Sequence, residues 1–296
     1  MDNVNDFFAT LSSYLWGWPM IVLLLGTHVF LSVRLRFPQR KLFTAIRLSV
    51  QRDKSQKGDV SQFGALATAL AATIGTGNII GVATAVALGG PGAVFWCWLT
   101  GVFGISTKYS EALLAIKYRV KSEKGHMLGG PMYTLERGLG WRKMGILFAV
   151  FTAIAAFGIG CTVQANAIST IMHASYGIST SVSGAVLMLL AAAVILGGVR
   201  SISKVCSMLV PFMALLYVLG CIYILCMNVV YLVPALKLIV NSAFSPEAAG
   251  GGLAGGSVIM AARYGIARGL FSNESGLGSA PIVAAAARTK NPVRQA

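Results

Sequence analysis

Two clusters of small and polar residues lie inside long apolar stretches of this sequence, where they could bind a polar solute. The first cluster is Thr73 to Asn78, near the middle of the apolar stretch 62–88. Its two glycines allow the backbone to leave helical geometry, and Asn78 is a good cap for a second half-helix beginning at Ile79. Unwinding strands backbone carbonyl and amide groups in lipid unless something satisfies them. Carbonyls that end a half-helix suit a cation, and amides that begin one suit a carboxylate.

The second cluster covers residues 270–279, inside the apolar stretch 257–287. It contains two glycines, several short polar side chains and the ionisable Glu274, and Pro281 lies near the start of a new half-helix. An ionisable residue deep in a membrane span marks a functional or a paired site. By our count of spans, this stretch runs in the opposite direction from the first. Two interrupted segments of opposite direction indicate a midplane binding site in transporters built from inverted repeats.

Both clusters have an alternative explanation, which is a structural role in helix packing. Glycine-rich stretches in membrane helices also form packing faces between helices, but glycine, Asn and hydroxyl groups recurring in two spans favour a binding site. The glycine spacing at positions 75, 77 and 81 resembles a dinucleotide fingerprint. No strand precedes it, however, and no acidic residue follows about 20 residues later. We therefore reject nucleotide binding.

Other polar residues inside apolar stretches are candidates for supporting roles. Gln164 and Asn166 lie near the centre of the stretch 145–172, where an amide could hold helices together or contact a substrate. Arg263 and Arg268 precede the second cluster and could line a hydrated entry pathway from the outside.

The sequence shows no arrangement for metal or nucleophilic chemistry. All five cysteines lie in apolar stretches, none forms a C-x-x-C pair, and the three histidines are not clustered with them. Buried thiols of this kind behave as small apolar side chains. We therefore expect no metal centre, no organic cofactor and no enzymatic activity.

The elements that must position these residues are membrane-spanning helices. The chain has 296 residues, of which 56% are hydrophobic and 11% charged, whereas a soluble domain carries about 25% charged residues. This composition excludes a soluble enzyme, a disordered tail and a secreted disulfide scaffold. Because one crossing needs about 20 apolar residues, we predict seven spans, at residues 14–33, 62–88, 93–116, 145–172, 180–199, 205–228 and 257–287.

The basic residues predict how the chain is oriented. In a soluble protein the net charge of +15 would suggest nucleic acid, but here Lys and Arg gather in alternate loops. Residues 34–57 hold eight of them and 117–143 hold seven, whereas 89–92 and 173–179 hold none and 229–256 hold one. Since positive loops stay in the cytoplasm, we expect the N-terminus outside and the C-terminus of this chain in the cytoplasm. Nucleic acid is not an expected partner.

Two segments between the predicted spans have helical character. Residues 37–50 place their apolar side chains on one face, which fits a helix lying on the inner leaflet, and an ordinary basic loop fits equally well. Residues 129–140 are predicted to form a cytoplasmic turn with a short helix. The N-terminus has neither a basic leader nor a small-residue cleavage site, so we interpret the first apolar stretch as a retained helix.

Several motifs are similar to those of the alanine or glycine:cation symporter family, also called sodium:alanine symporters. In combination they are highly specific, and they run over the whole chain, at residues 70–79, 89–96, 129–131, 163–167 and 271–276. The resemblance implies a LeuT-like core of five plus five helices in inverted repeat, preceded here by one extra helix. It also implies sodium-coupled uptake of alanine, glycine or similar small neutral amino acids across the plasma (inner) membrane, with sodium as the coupling ion.

The resemblance further implies a substrate site made from both interrupted helices and the third core helix. Carried onto this sequence, its residues are Thr76, Gly77, Asn78, Gln164, Phe271, Ser272 and Asn273. The first three would hold the carboxylate and backbone of the amino acid. Phe271 would cap the small space for the amino acid's side chain.

An ion site and hinges follow from the same resemblance. By analogy with the wider LeuT-like fold, backbone carbonyls near Ala71 and Ile74 would bind sodium. The hinges of the two broken helices would be Gly75, Gly276 and Gly278.

The predicted spans divide the chain into four parts. Residues 1–61 would hold the extra helix and a basic cytoplasmic segment, 62–228 the first five-helix repeat, 229–256 an extracellular connection, and 257–296 the start of the second repeat. The remaining four spans would need roughly 100 further residues. The chain therefore resembles a truncated member, and we expect the parent protein to transport and the isolated chain not to.

The alternatives to a symporter are a non-transporting fragment and a passive pore, whose flux would not saturate. The sequence does not choose among alanine, glycine and serine as substrate. It also leaves open sodium or proton coupling, for which Glu274 is the one obvious titratable group, and it does not give the oligomeric state.

Overall fold

The structure is a computed structural model, and it describes residues 2–51, 58–244, 258–289 and 291–296. Four segments of this part of the chain are long and apolar enough to cross a membrane, namely Asn5–Arg34, Gln62–Gly89, Arg142–Tyr176 and Gly198–Met227. Two shorter apolar helices cover Thr180–Ile195 and Val229–Phe244. The prediction of an all-α membrane protein is confirmed, but within the described residues four segments, and not the predicted seven, are both long and apolar enough to span.

The α-helices of the described residues are named here in chain order. They are α1 (Asp2–Leu15), α2 (Trp18–Arg34), α3 (Leu42–Val50), α4 (Gln62–Thr73), α5 (Thr76–Gly89), α6 (Gly92–Lys117), α7 (Pro131–Leu139), α8 (Arg142–Ala155), α9 (Val163–Tyr176), α10 (Thr180–Ile195), α11 (Gly198–Met227), α12 (Val229–Phe244), α13 (Val258–Asn273), α14 (Ala280–Ala285) and α15 (Pro292–Gln295). A 3-10 turn covers Pro38–Lys41, and a π-helix covers Ala156–Thr162. Two short antiparallel strands, β1 (Val120–Lys121) and β2 (Met127–Leu128), form a hairpin.

Three loop predictions can be compared with these bounds. Residues 229–256 were expected to be a connection, but Val229–Phe244 is the apolar helix α12, which contains Pro234 and a single lysine. The segment 37–50 is helical over α3, and its position on the inner leaflet stays a prediction. The short helix expected within 129–140 is confirmed as α7.

The first predicted break is confirmed between α4 and α5. Ile74 adopts an extended conformation with φ −87° and ψ 90°, and its N–H still donates to the carbonyl of Leu70 at 2.7 Å. Only Ile74 and Gly75 separate the two helices. The expectation that Asn78 caps a helix beginning at Ile79 is wrong, because α5 already begins at Thr76 and Asn78 is its third residue.

The second predicted break is confirmed between α13 and α14, and it is longer. Residues 274–279 leave helical geometry, with positive φ at Glu274 (50°), Gly276 (87°) and Gly278 (81°). The first residues of the predicted cluster, 270–273, remain helical as the last turn of α13. Pro281 lies in the first turn of α14, where its missing N–H costs no helical hydrogen bond.

The described chain folds into two compact units that alternate along the sequence. Unit 1 comprises Met1–Leu42, Gly77–Tyr109 and Leu216–Leu277, and unit 2 comprises Phe43–Thr76, Ser110–Leu215 and Gly278–Ala296. The second break therefore contains a point where the chain passes from one unit to the other, and the first break lies in unit 2 just before such a point. These units cut across the four predicted segments, and the repeat boundaries stay a prediction.

In unit 1, α13 packs between α2 and α6. Ile21 and Leu24 of α2 form a buried apolar cluster with Ile266 and Leu270 of α13. On α13, Gly269 lies so close to Thr100 of α6 that a side chain there would collide with it. Small residues of this kind let membrane helices approach closely, and they hold α13 in place up to the second break.

In unit 2, the chain before α4 meets the chain after α14. Val60 and Ala287 form a parallel β-bridge, in which the N–H of Val60 donates to Ala286 at 3.2 Å and the N–H of Arg288 donates to Val60 at 2.8 Å. Val60, Ala286 and Ala287 are buried together with Ala65 of α4. The starting end of α4 and the final end of α14 are thus joined in one core.

Arg119, which follows α6, fastens the same end of α14. Its guanidinium donates to the carbonyl oxygens of Ala285, Ala287 and Thr289 at 2.9, 2.8 and 2.6 Å. Burial lowers the pKa of the Arg119 guanidinium, and the nearby Asp59 carboxylate opposes that shift. Charge-assisted hydrogen bonds are the stronger class, so Arg119 fixes the chain that leaves the second break.

Asp59 ties the β-hairpin to this core. It is buried, and its Oδ2 accepts the N–H of Met127 at 2.7 Å. Nδ1 of His126 lies 3.1 Å from its other carboxylate oxygen. The hairpin, which the sequence did not predict, thereby carries Arg119 to its position.

Candidate functional site

Asn78 and Ser272 connect the two broken helices within unit 1. The hydroxyl of Ser272 donates to Oδ1 of Asn78 in a close hydrogen bond between residues 194 positions apart. Asn78 lies in the first turn of α5, and Ser272 lies in the last turn of α13. The structure thus brings together one predicted substrate residue from each break.

Gly77 and Asn273 flank this pair. A Cβ on Gly77 would lie 4.0 Å from Oγ of Ser272, so the α5 backbone passes directly beside the serine. Nδ2 of Asn273 lies 3.6 Å from the Cβ position of Gly101 on α6. Glycines at 77 and 101 keep the space around the polar side chains open on both sides.

Phe271 lies one residue before Ser272 and makes contacts that the sequence did not suggest. Its ring stands edge-on to the ring of Trp16, with centroids 6.1 Å apart. The guanidinium carbon of Arg268 lies 5.8 Å from the centre of the same ring. The turn between α1 and α2 therefore supports Phe271 from one side.

The ends of α5 and α13 that meet here have opposite polarity. The two helices run antiparallel, because Asn78 contacts Ser272, Gly81 contacts Arg268, and the later Gly89 contacts the earlier Ala261. The start of α5 presents backbone N–H groups and a partial positive charge, whereas the end of α13 presents carbonyls and a partial negative charge. A zwitterion with a carboxylate and an ammonium group matches this pair of helix ends.

Gln164 approaches the first break within unit 2. A Cβ on Gly75 would lie only 3.0 Å from Nε2 and 3.4 Å from Oε1 of Gln164, so the amide rests against the glycine backbone. The side chain of Thr76 lies outside the described part of the structure. Ala71 is in the last turn of α4, where helix carbonyls run out of intrahelical partners, and Ile74 follows it.

Gln164 follows a distortion that the sequence did not reveal. The π-helix Ala156–Thr162 joins α8 to α9 inside one 35-residue apolar segment. π-Helical turns occur often at functional sites. The neighbouring candidate Asn166 is exposed on the helix surface, so the structure separates the two amides.

His28 is a residue beside the second break that the motif analysis did not select. It is only 1% exposed, and its Nδ1 lies 2.8 Å from Oγ1 of Thr107. A Cβ on Gly276 would lie 3.8 Å from Cε1 of His28 and 2.9 Å from Cδ2 of Leu24. A buried histidine in an apolar helix could have flagged this contact from the sequence alone.

The two arginines of α13 contact different parts of the structure. Arg263 donates to the carbonyl of Ser13 at 3.4 Å, whereas Arg268 lies beside Phe271 and Gly81. Within the described ranges, no group of three or more His, Cys, Asp or Glu side chains is arranged to hold a metal ion.

Comparison with known proteins gives a consistent result. The sequence model of a family described as "Sodium:alanine symporter family" matches residues 1–296. The chain is similar to an "Uncharacterized transporter" of Haemophilus influenzae, with 52% identity over 99% of this chain and 65% of the relative. It is also similar to the sodium/alanine symporter AgcS of Methanococcus maripaludis, with 52% identity over 97% of this chain and 64% of the relative. A third relative is the putative sodium/proton-dependent alanine carrier protein YrbD of Bacillus subtilis, with 42% identity over 98% of this chain and 59% of the relative. The chain thus spans less than two thirds of the length of these relatives.

Proposed function

This chain belongs to the sodium:alanine symporter family, and from that premise we propose that it is part of a sodium-coupled symporter for small neutral amino acids. The family resemblance expected from the motifs is confirmed, and the relatives indicate a transporter rather than an enzyme. The LeuT-like arrangement, the orientation in the membrane and the identity of the amino acid belong to the proposal. A relative named as a sodium/alanine symporter supports alanine as the first substrate to test.

The observation that carries the proposal is the hydrogen bond between Asn78 and Ser272. It places the amide-rich start of α5 next to the carbonyl-rich end of α13. The carboxylate of an amino acid would bind the start of α5 at Gly77 and Asn78, and its ammonium group would face the last carbonyls of α13 at Ser272 and Asn273. These assignments follow the charge that each helix end presents.

The small side chain of the substrate would lie against Phe271. This ring is held by Trp16 at 6.1 Å, so it would close the space above the substrate with little rearrangement. A larger substrate would have to displace a supported aromatic ring. The proposal therefore favours alanine and glycine over bulky amino acids.

Sodium would bind carbonyls at the end of α4, near Ala71 and Ile74, as the family resemblance implies. Gln164 and Thr76 would contribute to the binding site at the same break, since the Gln164 amide already lies against Gly75. A cation there offsets the cost of unpaired carbonyls and holds the unwound backbone in one conformation. Each sodium charge that moves inward would gain about 2.3 kcal/mol per 100 mV of membrane potential.

The complete protein reconstituted in vesicles tests the proposal by uptake of labelled alanine. We expect uptake that saturates, accumulates alanine against its gradient and depends on an imposed sodium gradient. Uptake that ignores the sodium gradient would contradict the coupling, and flux that does not saturate would indicate a passive pore.

A matched pair of asparagine variants tests the site. Asn78→Ala should abolish uptake without preventing membrane insertion, because the variant lacks the amide next to Ser272. Asn166→Ala removes the same chemical group from an exposed helix position and should transport normally. Equal uptake by the two variants would remove Asn78 from the site.

A further inference from the structure

Arg268 lies one helical turn along α13 from the contact between Asn78 and Ser272. Arg268 and Ser272 are four residues apart on α13, and Asn78 and Gly81 are three residues apart on α5, so each pair occupies one helix face. The Arg268 side chain meets α5 at Gly81. The Arg268 guanidinium therefore lies along the same contact between α5 and α13 as the proposed substrate site, one turn farther from the second break.

The surroundings hold this guanidinium in a defined position. The Cβ position of Gly81 lies 3.4, 3.5 and 3.6 Å from Cδ, Nε and Cζ of Arg268, so the side chain lies flat across the glycine. The ring of Phe271 lies beneath it, with Cζ 5.8 Å from the ring centre. Arginine stacks on aromatic faces in this way while its N–H groups stay available for a planar anion.

The charge of Arg268 calls for an explanation because arginine is costly inside a membrane protein. Among the residues that the structure describes, no Asp or Glu oxygen forms an ion pair with Arg268 within 4.0 Å. Arg268 is half-buried rather than fully exposed. An arginine in such a position is suited to bind an anion that arrives from outside the protein.

We propose that Arg268 captures the carboxylate of the incoming amino acid, forming a first binding station one turn before the site at Asn78 and Ser272. This inference rests on the proposed transport function. The guanidinium fork matches the two oxygens of a carboxylate, and a small amino acid released from it would reach Asn78 after about 5 Å of travel, the length of one helical turn. Arg268 thereby selects for substrates with a free α-carboxylate.

Arg268→Gln in the complete protein tests this station, with Arg263→Gln as the matched control on the same helix. We expect the KM for alanine to rise at least tenfold in Arg268→Gln while the maximal rate stays within twofold of the wild type. Arg263→Gln should keep KM within twofold, because its side chain contacts the Ser13 carbonyl instead. An unchanged KM in Arg268→Gln would overturn the inference.

Propionate provides a readout that a purely structural role would not affect. It carries a carboxylate but no ammonium group, so it should inhibit alanine uptake competitively in the wild type. Its inhibition should weaken at least tenfold in Arg268→Gln, with an intermediate loss in Arg268→Lys. Inhibition of equal strength in the wild type and Arg268→Gln would show that Arg268 does not bind the carboxylate.

Gly81→Val keeps the charge and moves the guanidinium, which guards against an Arg268 variant that fails to fold. Its branched side chain would occupy the space across which Arg268 lies, so we expect the same rise in KM. A normal KM in Gly81→Val would contradict the inference. If the wild-type protein itself showed no sodium-dependent uptake, the proposed function would fail, whereas wild-type uptake with a normal Arg268→Gln variant would refute this inference alone.

Discussion

The two breaks of this protein interrupt their helices in different ways. The first consists of Ile74 and Gly75 and contains no residue with positive φ. The second extends over residues 274–279 and includes three residues with positive φ. The first is a tight step between two helices, and the second is a short loop with its own backbone conformation.

Glycine therefore serves two separate physical purposes in the two breaks. At Gly75 it provides space, because the Gln164 amide lies 3.0 Å from where a Cβ would be. At Gly276 and Gly278 it also provides conformation, because residues with a Cβ rarely adopt φ values of 87° and 81°. We expect substitutions in the second break to affect folding most, and substitutions in the first to affect transport most.

The largest effect is expected for Gly278→Ala. The alanine would adopt φ 81°, and its Cβ would lie 2.6 Å from Cζ of Phe148 and 2.8 Å from Cγ of Pro131. A left-handed conformation costs roughly 1–2 kcal/mol, and overpacking adds about 1–3 kcal/mol. Thermal unfolding in detergent should show a large loss of stability.

Gly177→Ala is the control for this substitution. Gly177 also has positive φ, at 67°, but nothing lies within 4 Å of its Cβ position. It should lose only the conformational part of the stability. Equal losses in the two variants would mean that the packing against Phe148 does not matter.

A somewhat smaller loss is expected for Arg119→Ala, which releases the chain after the second break. The substitution removes three hydrogen bonds from a guanidinium to carbonyls at the end of α14 and just after it. Each hydrogen bond to a charged group contributes about 1.5–3 kcal/mol, and water entering the site would recover part of this, so we expect a net loss of about 3 kcal/mol.

Arg142→Ala is the comparison, since its 3.8 Å pair with Glu136 is exposed and should contribute about 0.5 kcal/mol. Similar unfolding temperatures for the two variants would argue against a fastening role for Arg119.

Gly75→Ala should change transport more than stability. The methyl group would push the end of the Gln164 side chain by a few tenths of an ångström, which a flexible side chain tolerates. We expect unfolding within about 0.5 kcal/mol of the wild type and a several-fold rise in the KM for alanine. Gly184→Ala, with nothing within 4 Å of its Cβ position, should change neither quantity. A large loss of stability in Gly75→Ala would erase the contrast between the two breaks.

A small effect is also expected for the coupling between Asn78 and Ser272. A double-mutant cycle of Asn78→Ala and Ser272→Ala, read by thermal unfolding, should give a coupling of about 1 kcal/mol or less. The buried hydroxyl pair of Ser32 and Ser106, 2.8 Å apart, offers a reference cycle in the same unit. Additive effects at Asn78 and Ser272 would show that the two broken helices do not communicate through this bond.

The existence of both breaks was predictable from the sequence, but their limits were not. Glycines and polar residues that recur together in the middle of two apolar stretches favour unwinding over the packing faces that glycines alone form between membrane helices. Asn78 was expected to cap a helix on local preference alone. Tertiary structure places the extended residue at Ile74 instead, so that Asn78 falls inside α5.

The partners of the site residues were beyond the reach of sequence patterns. Helical periodicity relates residues three and four positions apart, whereas Asn78 and Ser272 are 194 positions apart. The π-helix before Gln164 was missed because the apolar residues and glycines of Ala156–Thr162 do not distinguish a π-helical turn from an α-helical one in the sequence. α12 was missed because a proline and a lysine lowered the apolar pattern of residues 229–244.

The bridge between Val60 and Ala287 restricts the order in which this protein is assembled. Val60 and Ala287 are separated by about 230 residues of chain, and ribosomes add roughly 5–20 residues per second. The start of α4 must therefore wait on the order of ten seconds or more after its synthesis for its permanent neighbour. During that interval lipid or the insertion machinery would have to cover the start of α4. A stall in translation before Ala287 would leave α4 without its permanent neighbour.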